Sequence, residues 1–214
     1  MKPRVVRPEI LDHLPEHDPE ARRSRRDLRR INLLMGNERW ICRTIARFPA
    51  AASRGIVELG AGDGTLLGKL ARRFPDAGLT ACDLAPRPPD LDARITWKQG
   101  DALSEEAALT GGVLVANLFL HHFEGASLQF LGRLCDAFEV LVFSEPDRAG
   151  LPHILGTMMW PFVNRVTRHD MHVSINAGFT PGEMAALLGL AAGKWRIRET
   201  STWRGARRVV AWRA

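Results

Sequence analysis

Between two apolar runs the chain reads Val57-Glu58-Leu59-Gly60-Ala61-Gly62-Asp63-Gly64-Thr65. Glycines in this pattern let a backbone approach a ligand closely. The acid that precedes them, Glu58, would be costly to bury as structure alone. Asp83, Asp101 and Asn117 then follow at the ends of three further apolar runs. An acid placed like Asp83, 23 residues after Gly60, can accept hydrogen bonds from both hydroxyls of a ribose. Proton transfer needs a titratable group, and the chain has no tyrosine. That leaves His, Asp, Glu, Cys, Lys or water. The candidates are His121, with His122 beside it, and His169, which Asp170 could orient.

These residues need a frame that gathers strand ends on one edge. Short apolar runs at 55–59, 79–83, 94–98, 113–117 and 140–143 alternate with helical segments at 65–74 and 120–137. Such alternation implies right-handed crossovers and a parallel sheet covered on both faces. A helix over 181–190 and two strands, 195–199 and 207–212, close the chain as a hairpin on the sheet edge. Residues 1–18 read as an extended arm, and Asp18-Pro19 opens a helical stretch to Phe48 that Gly36-Asn37 divides in two. The Arg cluster at 22–30 reads as its solvated face. The glycine segment lacks the Gly-Lys-Ser/Thr of a P-loop. It matches only two glycines of a dinucleotide fingerprint, because Thr65 stands where the third belongs.

The remaining pattern, Glu58-x-Gly60-x-Gly62-x-Gly64, resembles the class I S-adenosylmethionine-dependent methyltransferases. Gln99-Gly100-Asp101-Ala102-Leu103 and Val115-Ala116-Asn117-Leu118-Phe119-Leu120-His121-His122-Phe123 look like that family's motifs after the third and fourth strands. The resemblance is strong over about 55–145 and weaker at the closing hairpin. It implies an α/β, Rossmann-like seven-stranded sheet whose last strand is inserted antiparallel, under an N-terminal helical lid. The expected organisation is an arm and lid over 1–50 and a cofactor domain over 51–214, with an acceptor-pocket insertion at about 146–180. The implied cofactor is S-adenosylmethionine, held by Glu58, Gly60, Ala61, Gly62, Asp83, Leu84, Asp101, Ala102 and Asn117. Glu58 would orient the loop and the methionine part, Asp83 the ribose, Asp101 the adenine amino group and Asn117 the methionine end. Asn37 or Arg39 could reach the cofactor carboxylate. His121 is the first candidate base, acting alone, through water or as a positioning group; His169 is the second. The whole chain also looks like small bacterial methyltransferases found beside polyketide synthases, which implies a phenolic or polyketide-like oxygen as acceptor.

Composition trims the alternatives. The net charge of +6 divides unevenly. Residues 1–54 carry 13 basic and 7 acidic groups, and 194–214 carry 7 and 1. The centre is therefore net acidic, unlike a uniformly basic nucleic-acid binder. RNA or protein methylation through the basic ends stays as an alternative, as does a non-catalytic cofactor-binding module. Against the first, Asn117-Leu118-Phe119-Leu120 is not the N-P-P-Y type of motif used on base amines. Cys42, Cys82 and Cys135 form no C-x-x-C, so no metal ligands are expected and a reducing cytoplasm is the natural compartment. The run 149–164, without Lys, Arg, Asp or Glu, is too short to span a bilayer. Its apolar residues suggest a lid for an apolar or aromatic small molecule, although their helical spacing also fits ordinary core packing. A homodimer is compatible with the sequence.

Overall fold

The computed structural model describes residues 3–15, 17–104 and 108–214. Seven strands form one sheet: β1 (Ile56–Leu59), β2 (Leu79–Asp83), β3 (Ile95–Gln99), β4 (Val113–Asn117), β5 (Val140–Pro146), β6 (Trp195–Ser201) and β7 (Ala206–Arg213). Their order is β3-β2-β1-β4-β5-β7-β6. The first five strands run parallel, and β7 enters antiparallel between β5 and β6. All parallel strands therefore end on one edge, and the chain order reverses outward from β1. That edge, at that reversal, is where open α/β sheets bind ligands.

The two sheet faces bury separate apolar clusters. On one, Val57, Leu59, Leu114, Ala116, Leu141 and Phe143 meet Leu128 and Leu131 of α6 (Gly125–Cys135) and Met184 of α9 (Glu183–Leu187). On the other, Ile56, Val113, Val115, Val140 and Val142 meet Ile41 and Ile45 of α3 (Asn37–Ile45) and Leu66, Leu67 and Leu70 of α5 (Thr65–Arg73). β5 is buried at every position, as a strand covered on both faces must be.

Helices gather over the carboxyl edge. α2 (Pro19–Met35) starts at Asp18, whose side chain accepts from the Glu20 and Ala21 amides. It ends at Gly36, which has a left-handed φ of 69°, and α3 begins at the next residue. α4 (Pro49–Ser53) leads into β1. α8 (Arg165–Ala177) packs against α2, against α7 (Gly150–Met158) and against the short α1 (Ile10–His13) inside the arm. A buried polar seam holds α2 to α8: Asp27 accepts from the Asn164 amide at 2.9 Å, and the Ser24 and Thr167 hydroxyls are 2.9 Å apart.

Three expectations change. The helix expected over 120–137 is a tight 3-10 turn, Leu120–His122, followed by α6, because a buried carboxylate draws the amides of residues 119–121 together. The helix expected over 181–190 keeps only 183–187. Gly182 and Gly189, with φ of 75° and 66°, bound it with left-handed backbone. Of the apolar residues at 149–164, Val163 is buried in the core, but most of the others are exposed rather than packed there. Ile154, Met158 and Phe162 are 60%, 66% and 72% exposed, since α7 packs on α8 through its other side.

Candidate active site

The glycine loop leaves β1 at the centre of the carboxyl edge. The Gly60 amide donates to Cys82 O at 2.9 Å, which continues the β1–β2 ladder. Gly60 has a φ of +65°, and a Cβ there would lie 2.1 Å from the Phe119 ring. Gly62, with φ +55°, would meet nothing within 4 Å. The first glycine is thus required by protein packing, and the second borders open space. Ala61 between them is buried.

Asp83 clasps this loop. Its Oδ2 accepts from the Gly62 amide at 2.7 Å, and its Oδ1 accepts from the Ala85 amide at 2.8 Å. Leu84, between them in the turn, is 74% exposed. Asp101 accepts from the Leu103 amide at 2.8 Å, while Ala102 is buried. From α2, Arg29 reaches across to Asp63 at 2.8 Å. The expected cofactor residues thus occupy the ends of β1, β2, β3 and β4 on one edge.

Glu58 and Asn117 lie deeper. Glu58 is 3% exposed, and its Oε2 has no hydrogen-bond partner. Burial, together with the charges of Glu38, Asp83 and Asp63, holds its pKa well above the usual carboxylate range. Asn117 donates to Asn32 of α2 at 3.4 Å, and its Oδ1 is buried without a partner. Asn37 Nδ2 is a third such atom, whereas Arg39 is exposed. Buried polar atoms normally find partners, and these three, like Ser144 Oγ, His172 Nε2 and Arg208 Nε, have none among the described residues.

His121 is enclosed by carboxylates. It is 3% exposed. Its Nδ1 lies 2.8 Å from Glu145 Oε2, and its Nε2 faces Glu9 Oε1 across 3.6 Å. Burial pushes its pKa down, but the Glu145 hydrogen bond and the nearby carboxylates of Glu145 and Glu9 outweigh this and raise it to about 9. The Glu145 carboxylate, fully buried, also accepts from the amides of Phe119, Leu120 and His121. These bonds hold the turn after Leu118, whose φ of 57° is unusual for a non-glycine residue. His169 is half exposed, with Nδ1 2.9 Å from Asp170. It lines a groove of about 690 Å³ with Val5, Arg7, Trp160, Arg168 and His172. The lining of that groove includes neither the glycine loop nor the strand-end acceptors, so the two candidate histidines face different surroundings.

Sequence reasoning had no signal for Glu9. It lies 112 positions before His121, in an arm without periodicity. Glu145, in Glu145-Pro146 at the end of the fifth apolar run, reads in the sequence either as facing a substrate or as a sheet-edge turn, and nothing there links it to His121. The oppositely charged pair Glu38–Lys69 beside Glu58 also arises only in the fold.

No protein-family model matches the chain. Uncharacterized methyltransferases of Mycobacterium tuberculosis and Mycobacterium bovis are 33% identical over 124 residues, which is 52% of this chain and 62% of theirs. The match therefore spans less than two thirds of those relatives' length. Among solved structures, the plantazolicin methyltransferase BamL, in complex with a triazolic desmethylPZN analog and SAH, superposes with a TM-score of 0.71 at 11% identity, covering 95% of this chain and 92% of that one. The pyocyanin biosynthetic protein PhzM gives 0.62 at 22% identity, covering 93% and 60%. Human N-acetylserotonin methyltransferase, in complex with SAM, gives 0.61 at 15%, covering 94% and 60%. Its strand order, its antiparallel β7 and these likenesses give the chain the fold of the class I S-adenosylmethionine-dependent methyltransferases.

Proposed function

We propose that the chain transfers a methyl group from S-adenosylmethionine to an oxygen of a small phenolic or polyketide-like acceptor. The observation that carries this reading is the set of unpartnered buried atoms, Glu58 Oε2, Asn117 Oδ1 and Asn37 Nδ2, beside a glycine loop clasped by Asp83. This donor and acceptor set fits the cofactor. Asp83 would take the ribose hydroxyls, and Asp101 the adenine amino group, with Leu84 offering apolar surface. Glu58, Gly60 and Asn117 would hold the methionine end, and Asn37 its carboxylate. When bound, S-adenosylmethionine supplies a methyl group on a sulfonium, already an excellent leaving group. The chain's own task is then alignment and water exclusion. α2 serves that task by reaching over the edge through Arg29 and Asn32.

In this reading His121 positions. Its ring is buried and faces two carboxylates, so its part is to fix the turn that follows Asn117. His169, in the groove along α8, lies outside the reacting centre. The names of the mycobacterial relatives support methyl transfer, and the likeness to N-acetylserotonin methyltransferase supports a small-molecule acceptor. The basic C-terminal segment lends no support to nucleic-acid methylation. Arg207 pairs with Asp147 and Glu199, while Arg208 and Arg213 donate to backbone carbonyls. Calorimetric titration with S-adenosylhomocysteine tests the cofactor, and mass detection of methylated products from a panel of phenols tests the acceptor. Absence of S-adenosylhomocysteine binding would overturn the reading. Binding without any methylated phenol would overturn the acceptor class alone.

A further inference from the structure

Beneath the arm, one donor atom from each of Glu9, His121 and His122 lies within 4.8 Å of the others. Glu9 and His121 are buried, and His122 is about two-thirds buried at the rim. We propose that these three residues form a binding site for a divalent transition-metal ion, of the zinc type, that fastens the N-terminal arm to the turn after β4.

Three features of the cluster carry this. The first is spacing. His121 Nε2 and Glu9 Oε1 are 3.6 Å apart, beyond ordinary hydrogen-bond length. Donors bound about 2.0–2.1 Å from a tetrahedral zinc stand roughly 3.3–3.4 Å from one another, so the gap is near the edge of such a shell. The second is the carboxylate behind the ring. Glu145 holds Nδ1 at 2.8 Å, which leaves Nε2 directed at Glu9. A carboxylate in this position fixes the orientation of a metal-bound histidine and strengthens it as a donor. The third is donor chemistry. Two imidazoles and one carboxylate suit zinc, cobalt or nickel rather than magnesium or calcium, which prefer oxygen throughout. Two buried carboxylates, Glu9 and Glu145, also bring negative charge that a divalent cation neutralises. Asp12 Oδ2, 3.9 Å from His122 Nδ1, adds acceptor character at the open side.

Three protein ligands leave one position of a tetrahedral ion for water or another small donor. The ion would join Glu9, ahead of α1, to the turn whose backbone Glu145 organises. The site is independent of methyl transfer, and it can be tested whether or not the chain binds S-adenosylhomocysteine.

The probe is Co²⁺ added to the full chain after chelator treatment, read by its visible absorption. One equivalent should bind and give the intense bands of four- or five-coordinate cobalt, and Zn²⁺ should displace it. Zn²⁺ should also raise the melting temperature of the wild type. Glu9→Gln and His122→Asn should each weaken Co²⁺ binding at least tenfold and abolish the melting shift, while His17→Asn leaves both in place. Circular dichroism of the metal-free variants shows that they fold. Only the weak bands of hydrated octahedral cobalt, or unchanged affinity in folded Glu9→Gln and His122→Asn, would overturn the site. Should one variant not fold, the other decides.

Discussion

Glu145 Oε2 stands 2.8 Å from His121 Nδ1, and the same carboxylate accepts the amides of Phe119, Leu120 and His121. One fully buried side chain thus fixes both the imidazole ring and three consecutive backbone groups. Glu145→Ala leaves the three amides and the ring without their acceptor. It should destabilise the fold by about 3–5 kcal/mol, the range for breaking a buried charged pair. Glu145→Gln keeps the size and one acceptor oxygen, and should cost about 1.5–3 kcal/mol, typical of hydrogen bonds to charged groups. Urea unfolding at constant m-value measures both. A midpoint unchanged in the alanine variant would show that the turn holds itself.

Asp83→Ala should weaken S-adenosylhomocysteine binding by roughly 10- to 100-fold, the loss expected when hydrogen bonds to a charged acceptor disappear. Part of that loss comes through Gly62, whose amide Asp83 accepts at 2.7 Å. Asp83→Asn separates the contributions, because the amide oxygen can still take the Gly62 bond while one acceptor becomes a donor. Calorimetry should rank wild type, Asn and Ala in descending affinity. Equal affinities would remove Asp83 from the cofactor site.

The frame of the site was legible because its signals are local. Strand, glycine turn and helix follow one another at 56–73, and Asp83, Asp101 and Asn117 each stand at or just after a strand's end, where the alternation of elements put them. The break at Gly36 was legible too, since its φ of 69° asks for glycine. What stayed hidden depends on long-range pairing. Glu9 and Glu145 reach His121 from the arm and from β5, and neither has a spacing that connects it to the ring. Conflicting local cues shortened α9, where Gly182 and Gly189 bound an apolar run that periodicity alone extends. The exposure of Ile154, Met158 and Phe162 was not legible either. Helical spacing shows that a stripe exists but not which neighbour covers it.

Glu58 sets a conflict between stability and binding. Its folded pKa lies well above the ordinary 4.5, with burial as the main cause. A raised carboxylate pKa means that the folded state binds the proton more tightly than the unfolded chain does. Stability is therefore greatest when the group is protonated, and it falls as pH climbs from about the unfolded pKa through the folded one. Glu58→Gln removes this dependence. Without cofactor, the variant should melt higher than the wild type at neutral and alkaline pH, and the difference should close below pH 4.5. Melting curves across that range measure it. A constant difference at all pH values would mean that Glu58 does not titrate differently in the two states.

Gly60 and Gly62 should fail in different ways when given a methyl group. Both have positive φ, so Gly60→Ala and Gly62→Ala share a backbone strain of roughly 1–2 kcal/mol. At Gly60 the new Cβ also collides with the Phe119 ring at 2.1 Å, and overpacking of this kind adds about 1–3 kcal/mol. At Gly62 the Cβ enters open space, where the proposed cofactor would lie. Gly60→Ala should therefore be the less stable protein by urea unfolding. Gly62→Ala should remain close to the stability set by strain alone, yet lose S-adenosylhomocysteine affinity by more than tenfold. Gly60→Ala combined with Phe119→Ala removes the collision but opens a cavity. It should lose less stability than the two single changes summed, because the pair interacts. Full additivity would show that Phe119 and residue 60 do not touch, and intact affinity in Gly62→Ala would move the ligand away from the loop.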